Sequence, residues 1–84
     1  MASRDEIQAM ILQVKEGIEQ ANVAAAAAME ACRQSADEEG GKGHEGIASL
    51  YRTGSEAMEK VSAALQGAST EADEAQNWVA QTQG

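Results

Sequence analysis

An 84-residue chain with no proline or phenylalanine, one tryptophan and one tyrosine has the length of one small domain, and its composition suits long helices over a β-sandwich or barrel. Fourteen acidic against six basic residues give a net charge of −8, which sets the surface against phosphate backbones and anionic lipid, so neither nucleic acid nor a membrane is expected as a partner. A single cysteine excludes an internal disulfide framework.

The chain starts with a helix signal. Ser3 followed by Glu6 forms a capping box, and Asp5 and Glu6 lie where the positive end of the helix dipole favours acids. Met1 to Glu6 lacks a basic stretch followed by an apolar core, so no signal peptide is expected. The longest apolar run, Val23 to Met29, falls short of the ~20 residues that span a bilayer. The expected location is cytoplasmic, or secreted without a cleaved signal peptide.

Helix 1 is predicted over about 3–38, with Gly40-Gly41 as its stop and a glycine-rich loop over about 39–44. Helix 2 follows over about 45–81, completing a single helical-hairpin domain, 1–84. Each helix carries an apolar stripe that steps by four and three residues. On helix 1 it is Ile7, Ile11, Val14, Ile18, Ala21, Ala25, Ala28 and Cys32. On helix 2 it is Ile47, Tyr51, Gly54, Met58, Val61, Leu65, Ala68, Ala72, Ala75 and Val79. Folded at the loop, the stripes pair Ile11 with Ala72, Ile18 with Leu65, Ala25 with Met58, Ala28 with Gly54 and Cys32 with Tyr51. Large then faces small at most levels. The expected hairpin core is Ile7, Ile11, Val14, Ile18, Cys32, Tyr51, Met58, Val61, Leu65 and Val79.

A further column flanks this seam. It holds Met10, Gly17, Ala24 and Ala31 on helix 1, and Leu50, Ala57, Ala64, Glu71 and Trp78 on helix 2. Three apolar columns are more than a two-helix seam uses, and they suit a bundle of three or four helices. The fold class is therefore all-α: an antiparallel two-helix hairpin, dimerising into a four-helix bundle or coiled coil. A homodimer or a related helical hairpin is the expected partner.

Chemistry has little to stand on. His44 is the single histidine and falls in the loop, and Cys32 sits near the same end without an orienting third group. Glu38, Glu39, His44 and Glu45 cluster around the loop but lack a metal-ligand spacing. Gly40-Gly41-Lys42-Gly43 has no following Lys-Ser/Thr and no preceding strand, so it is not a phosphate loop. No catalytic, cofactor or metal site is assigned. Trp78 is the candidate recognition anchor, with Met10 near it at the open end and Leu50 in the same column. The remaining acids form solvated faces, helped by pairs such as Glu56–Lys60.

A proline-free hairpin of this size, rich in Ala, Gly, Ser and Gln, resembles the small WxG-type helical-hairpin proteins of type VII secretion, and also the Ala/Gln-rich hairpins of actinobacteria. The likeness is one of architecture along the whole chain. The turn reads Gly40-Gly41-Lys42-Gly43-His44-Glu45-Gly46 where that family carries Trp-x-Gly, and Tyr51 is followed four residues on by Ser55 rather than an acid. The resemblance implies a secretion-associated or effector-accompanying hairpin. From the residues, the expected function is a non-enzymatic protein–protein interaction module; the alternative is a small ligand- or metal-binding bundle.

Overall fold

The computed structural model describes residues 1–82. They form two antiparallel helices, α1 (Arg4–Gly41) and α2 (Glu45–Ala80), in a hairpin 64 Å long and 16 × 14 Å across. Ser3 caps α1: its hydroxyl accepts the Glu6 backbone N–H at 3.1 Å and donates to the Glu6 carboxylate at 3.2 Å. The carboxylate thus closes the box through the hydroxyl rather than through the backbone N–H of Ser3.

The turn is tighter than the sequence suggests. Gly40 and Gly41 stay helical, and the chain reverses at Gly43, whose φ of +80° is the left-handed value that glycine adopts without a steric penalty. His44 N–H donates to the Glu39 carbonyl at 2.8 Å and Gly43 N–H to the Gly40 carbonyl at 3.0 Å. These two bonds are the Schellman pattern, which satisfies carbonyls left open at a helix end. At the other end, the Arg4 guanidinium donates to the Thr82 carbonyl at 2.9 Å and ties the open end of the hairpin together.

The seam runs one position to the side of the expected one. Ile11, Ile18, Ala25 and Cys32 on α1 and Met58, Leu65, Ala72 and Val79 on α2 do line it, half-buried or buried. Their companions, however, are Gln8, Lys15, Asn22, Met29 and Ala36 on α1 and Ala48, Ser55, Ser62, Ser69 and Gln76 on α2, all at least half-buried. Val14, Tyr51 and Val61, expected in the core, are 56 %, 39 % and 41 % exposed. Ile7 is half-buried at the seam's edge. The register also moves by about one turn: a methyl group on Gly54 would stand 3.3 Å from the Cys32 sulfur, so Gly54 rather than Tyr51 faces the thiol.

Size and polarity explain both shifts. The buried apolar residues are Ala25, Ala36, Ala48 and Ala72, and no large side chain is fully buried among the described residues. Alanine and serine let the two backbones approach closely, and the polar companions then bridge the helices. Gln8 donates to the Gln76 carbonyl at 3.0 Å, and Lys15 reaches both the Gln76 side chain (3.0 Å) and Asp73 (2.6 Å). A seam centred on Val14 and Val61 would forgo these bonds.

Candidate functional site: the apolar face of the hairpin

Turning the seam decides which residues meet water. On α1 the column just before the polar companions is Ile7, Val14, Ala21 and Ala28; on α2 it is Ile47, Gly54, Val61 and Ala68. Both helices are right-handed and they run in opposite directions, so a step backwards along either chain turns toward the same side of the hairpin. The next column out, Met10, Gly17, Ala24 and Ala31 with Leu50, Ala57, Ala64, Glu71 and Trp78, widens that side into an apolar face interrupted on α2 by Glu71.

The opposite side carries the ion pairs that cross the hairpin, with Leu12 and Val23 also exposed there. Arg33, Glu59 and Asp73 each follow a seam residue (Cys32, Met58 and Ala72), so a step forward carries them to the other flank. There Arg33 meets Glu59 at 3.1 Å and Lys15 meets Asp73. Leu12, Glu16 and Glu19 line a shallow groove on this side together with Lys15 and Ser69. No ion pair crosses the apolar face among the described residues.

Of the three expected interaction residues, Met10 and Trp78 lie at the open end of this face, 55 % and 69 % exposed. Leu50, 74 % exposed, lies toward the turn, roughly 40 Å from Trp78 along α2 at ~1.5 Å per residue. The face thus has large side chains at both ends and small ones along its waist, with Val61 between. Val14, Ile47, Tyr51 and Val61 belong to it or its edge, though their spacing reads as core. The signal for their true place is the serine column Ser55, Ser62, Ser69: small polar residues at heptad spacing mark a close, hydrogen-bonding seam.

The loop residues engage one another. His44 Nδ1 donates to Glu39 Oε2 at 2.7 Å, Lys42 Nζ lies 3.9 Å from the same carboxylate, and Glu45 turns instead to Arg52 at 3.8 Å. Among the described residues no three His, Cys, Asp or Glu side chains are grouped to hold a metal ion. The hydrogen bond from His44, helped by the charge of Lys42, holds the Glu39 carboxyl below the usual carboxylate range. A depressed folded-state pKa means that this contact stabilises the turn above the ordinary carboxylate pKa and is lost as pH falls through the depressed value. His44→Ala is expected to raise the Glu39 pKa toward its ordinary value, read by NMR titration of the Glu39 side-chain carboxyl. An unmoved pKa would assign the shift to Lys42.

No helix of the described residues is long and apolar enough to cross a membrane. No family model, curated protein or solved structure matches the chain.

Proposed function

We propose that this chain is a non-enzymatic helical interaction module whose apolar face takes the face of another helical hairpin to complete a four-helix bundle. One observation carries the reading: among the described residues the buried apolar ones are all alanines, while Met10, Val14, Leu50 and Trp78 stand in water on one side. Burying a large aliphatic or aromatic side chain contributes about 1.5–3 kcal/mol, so the stabilisation that a lone hairpin leaves unused lies on that face. An exposed apolar patch of this kind marks an association surface. The likeness to WxG-type hairpins makes a secretion-associated or effector-accompanying role the biological form that this module would take.

The test is absolute mass by light scattering across a dilution series, with circular dichroism on the same samples. A helical assembly that loses helicity as it dissociates supports the reading. So does a poorly folded monomer that gains helix on adding another helical hairpin. A monomer that stays fully helical and melts cooperatively at every concentration would defeat it, because the face would then need no cover.

A further inference from the structure

We infer that the two ion pairs on one flank, Lys15–Asp73 and Arg33–Glu59, form a latch that sets how the two helices are rotated against each other. The latch keeps Val14, Ile47 and Val61 turned outward. It belongs to the single hairpin and does not rest on the apolar face having a partner. Two seams are open to this pair of helices, and they share the columns through Ile18 on α1 and Leu65 on α2. They differ in the companion columns. The observed seam takes the polar and small ones through Lys15 and Ser55, and the other would take the apolar ones through Val14 and Val61. Passing between them turns each helix by roughly 50°, half the step between neighbours at ~3.6 residues per turn. Apolar burial alone favours the second seam, because Val14, Ile47 and Val61 are all exposed in the first.

What opposes that seam is confined to one flank. In the open half of the hairpin, Lys15 Nζ lies 2.6 Å from the Asp73 carboxylate and donates to Gln76 Oε1 at 3.0 Å. In the half nearer the turn, Arg33 donates to Glu59 at 3.1 Å. Among the described residues no ion pair joins the helices across the other flank. Arg33, Glu59 and Asp73 each follow a residue of the shared columns, which places them at the rim of the contact. Turning the helices toward the apolar seam carries all three to the outer side and parts both pairs.

Both pairs are open to water, and such pairs add little to overall stability. Their placement gives them a different effect. One lies in each half of the hairpin and both draw the same flank together, so they bear on rotation rather than on whether the helices pack. Lys15 is also the one charged residue in the columns that line the observed seam. A polar group at a seam position fixes the alignment of helices at a cost in apolar burial, and here that cost is the exposure of Val14, Ile47 and Val61.

Thiol reaction rates at low salt test the latch. In a Cys32→Ser background, Ser55→Cys puts a thiol where the observed seam leaves the side chain only 6 % exposed and the apolar seam would leave it at the rim. Ala25→Cys puts one in a column that both seams share, also at 6 %. Neither position lies on the apolar face, so cover by a partner leaves the readout unchanged. With no further substitution, both thiols are expected to react with a disulfide reagent at least about tenfold more slowly than in urea. Glu59→Lys together with Asp73→Lys sets like charges against each other in both halves of the flank. That variant is expected to bring the thiol at 55 within about threefold of its urea rate, while the thiol at 25 stays protected. Adding Lys15→Glu and Arg33→Glu, which restores opposite charges, is expected to restore slow reaction at 55. Protection retained at both positions in the Glu59→Lys, Asp73→Lys variant would overturn the latch, because alanine and serine packing would then set the facing. Loss at both would also overturn it, because the pairs would then hold the helices together rather than turn them. So would a fourfold exchange that leaves position 55 reactive. None of these results bears on whether the face takes a partner, which the dilution series decides separately.

Discussion

Ile18→Asp is expected to abolish cooperative thermal melting and most of the helical circular dichroism signal at 25 °C. Ile18 lies mid-way along the apolar column of the seam, half-buried beside Asn22 and Ser69. The substitution removes an aliphatic contact and places a carboxylate where water is partly excluded. Lys15, the nearest cation in sequence, is already held by Asp73 and Gln76. Glu16 and Glu19 on the adjoining groove add like charge. A loss of about 3 kcal/mol follows from the missing burial and the poorly solvated charge. A hairpin whose interior is alanine has no reserve of that size. Ile18→Leu, which keeps volume and polarity, is expected to cost under about 1.5 kcal/mol and retain the melt. Cooperative melting of the aspartate variant would show that the seam does not pass through Ile18.

The second large effect separates association from folding. Trp78→Ala combined with Leu50→Ala is expected to weaken association about 100-fold, or about 2.7 kcal/mol. In the dilute, dissociated state, helicity should stay close to that of the parent chain dissociated to the same extent. The distinction follows from exposure: both side chains stand out from the single hairpin at 69 % and 74 %, so truncating them removes little that one chain uses. Analytical ultracentrifugation gives the first quantity and circular dichroism at low concentration the second. If the variant is less helical than the parent chain when both are fully dissociated, Trp78 closes the end of its own hairpin and is not an anchor for a partner.

Much of the architecture is legible in the residues, because helix periodicity and capping are local. The Ser3–Glu6 cap, the two long helices and the columns through Ile11, Ile18 and Cys32 and through Met58, Leu65 and Val79 follow from spacing alone. The turn is less so. Gly40 and Gly41 look like a stop, yet glycine tolerates the helix, and the bonds from Gly43 and His44 back to Gly40 and Glu39 decide where the chain reverses. The facing of the seam is the largest departure. With apolar residues over three adjacent columns, periodicity defines a stripe but not its centre, and choosing the bulkiest residues puts Val14, Tyr51 and Val61 inside. The structure centres on Ala25, Ala36, Ala48 and Ser55, where backbones can close up and Gln8 and Lys15 can reach across. Met10, Leu50 and Trp78 read as outward from sequence because they flank either choice of centre. Which further residues join them depends on that choice, which is a property of the packed pair and not of either helix.

An interior of Ala25, Ala36, Ala48 and Ala72 also sets the calorimetry of the molecule. The heat-capacity change of unfolding scales with newly exposed apolar surface, and an alanine side chain contributes little of it. A single hairpin therefore has a flat stability curve, a shallow denaturant slope and a broad transition, closer to the fraying of a long helix than to the collapse of a globule. Curvature, steepness and sharpness would enter if the large side chains of the face left water in the proposed bundle. In the proposed bundle the thermodynamic character of a folded protein would belong to the assembly, and the chain by itself would hold little more than its shape.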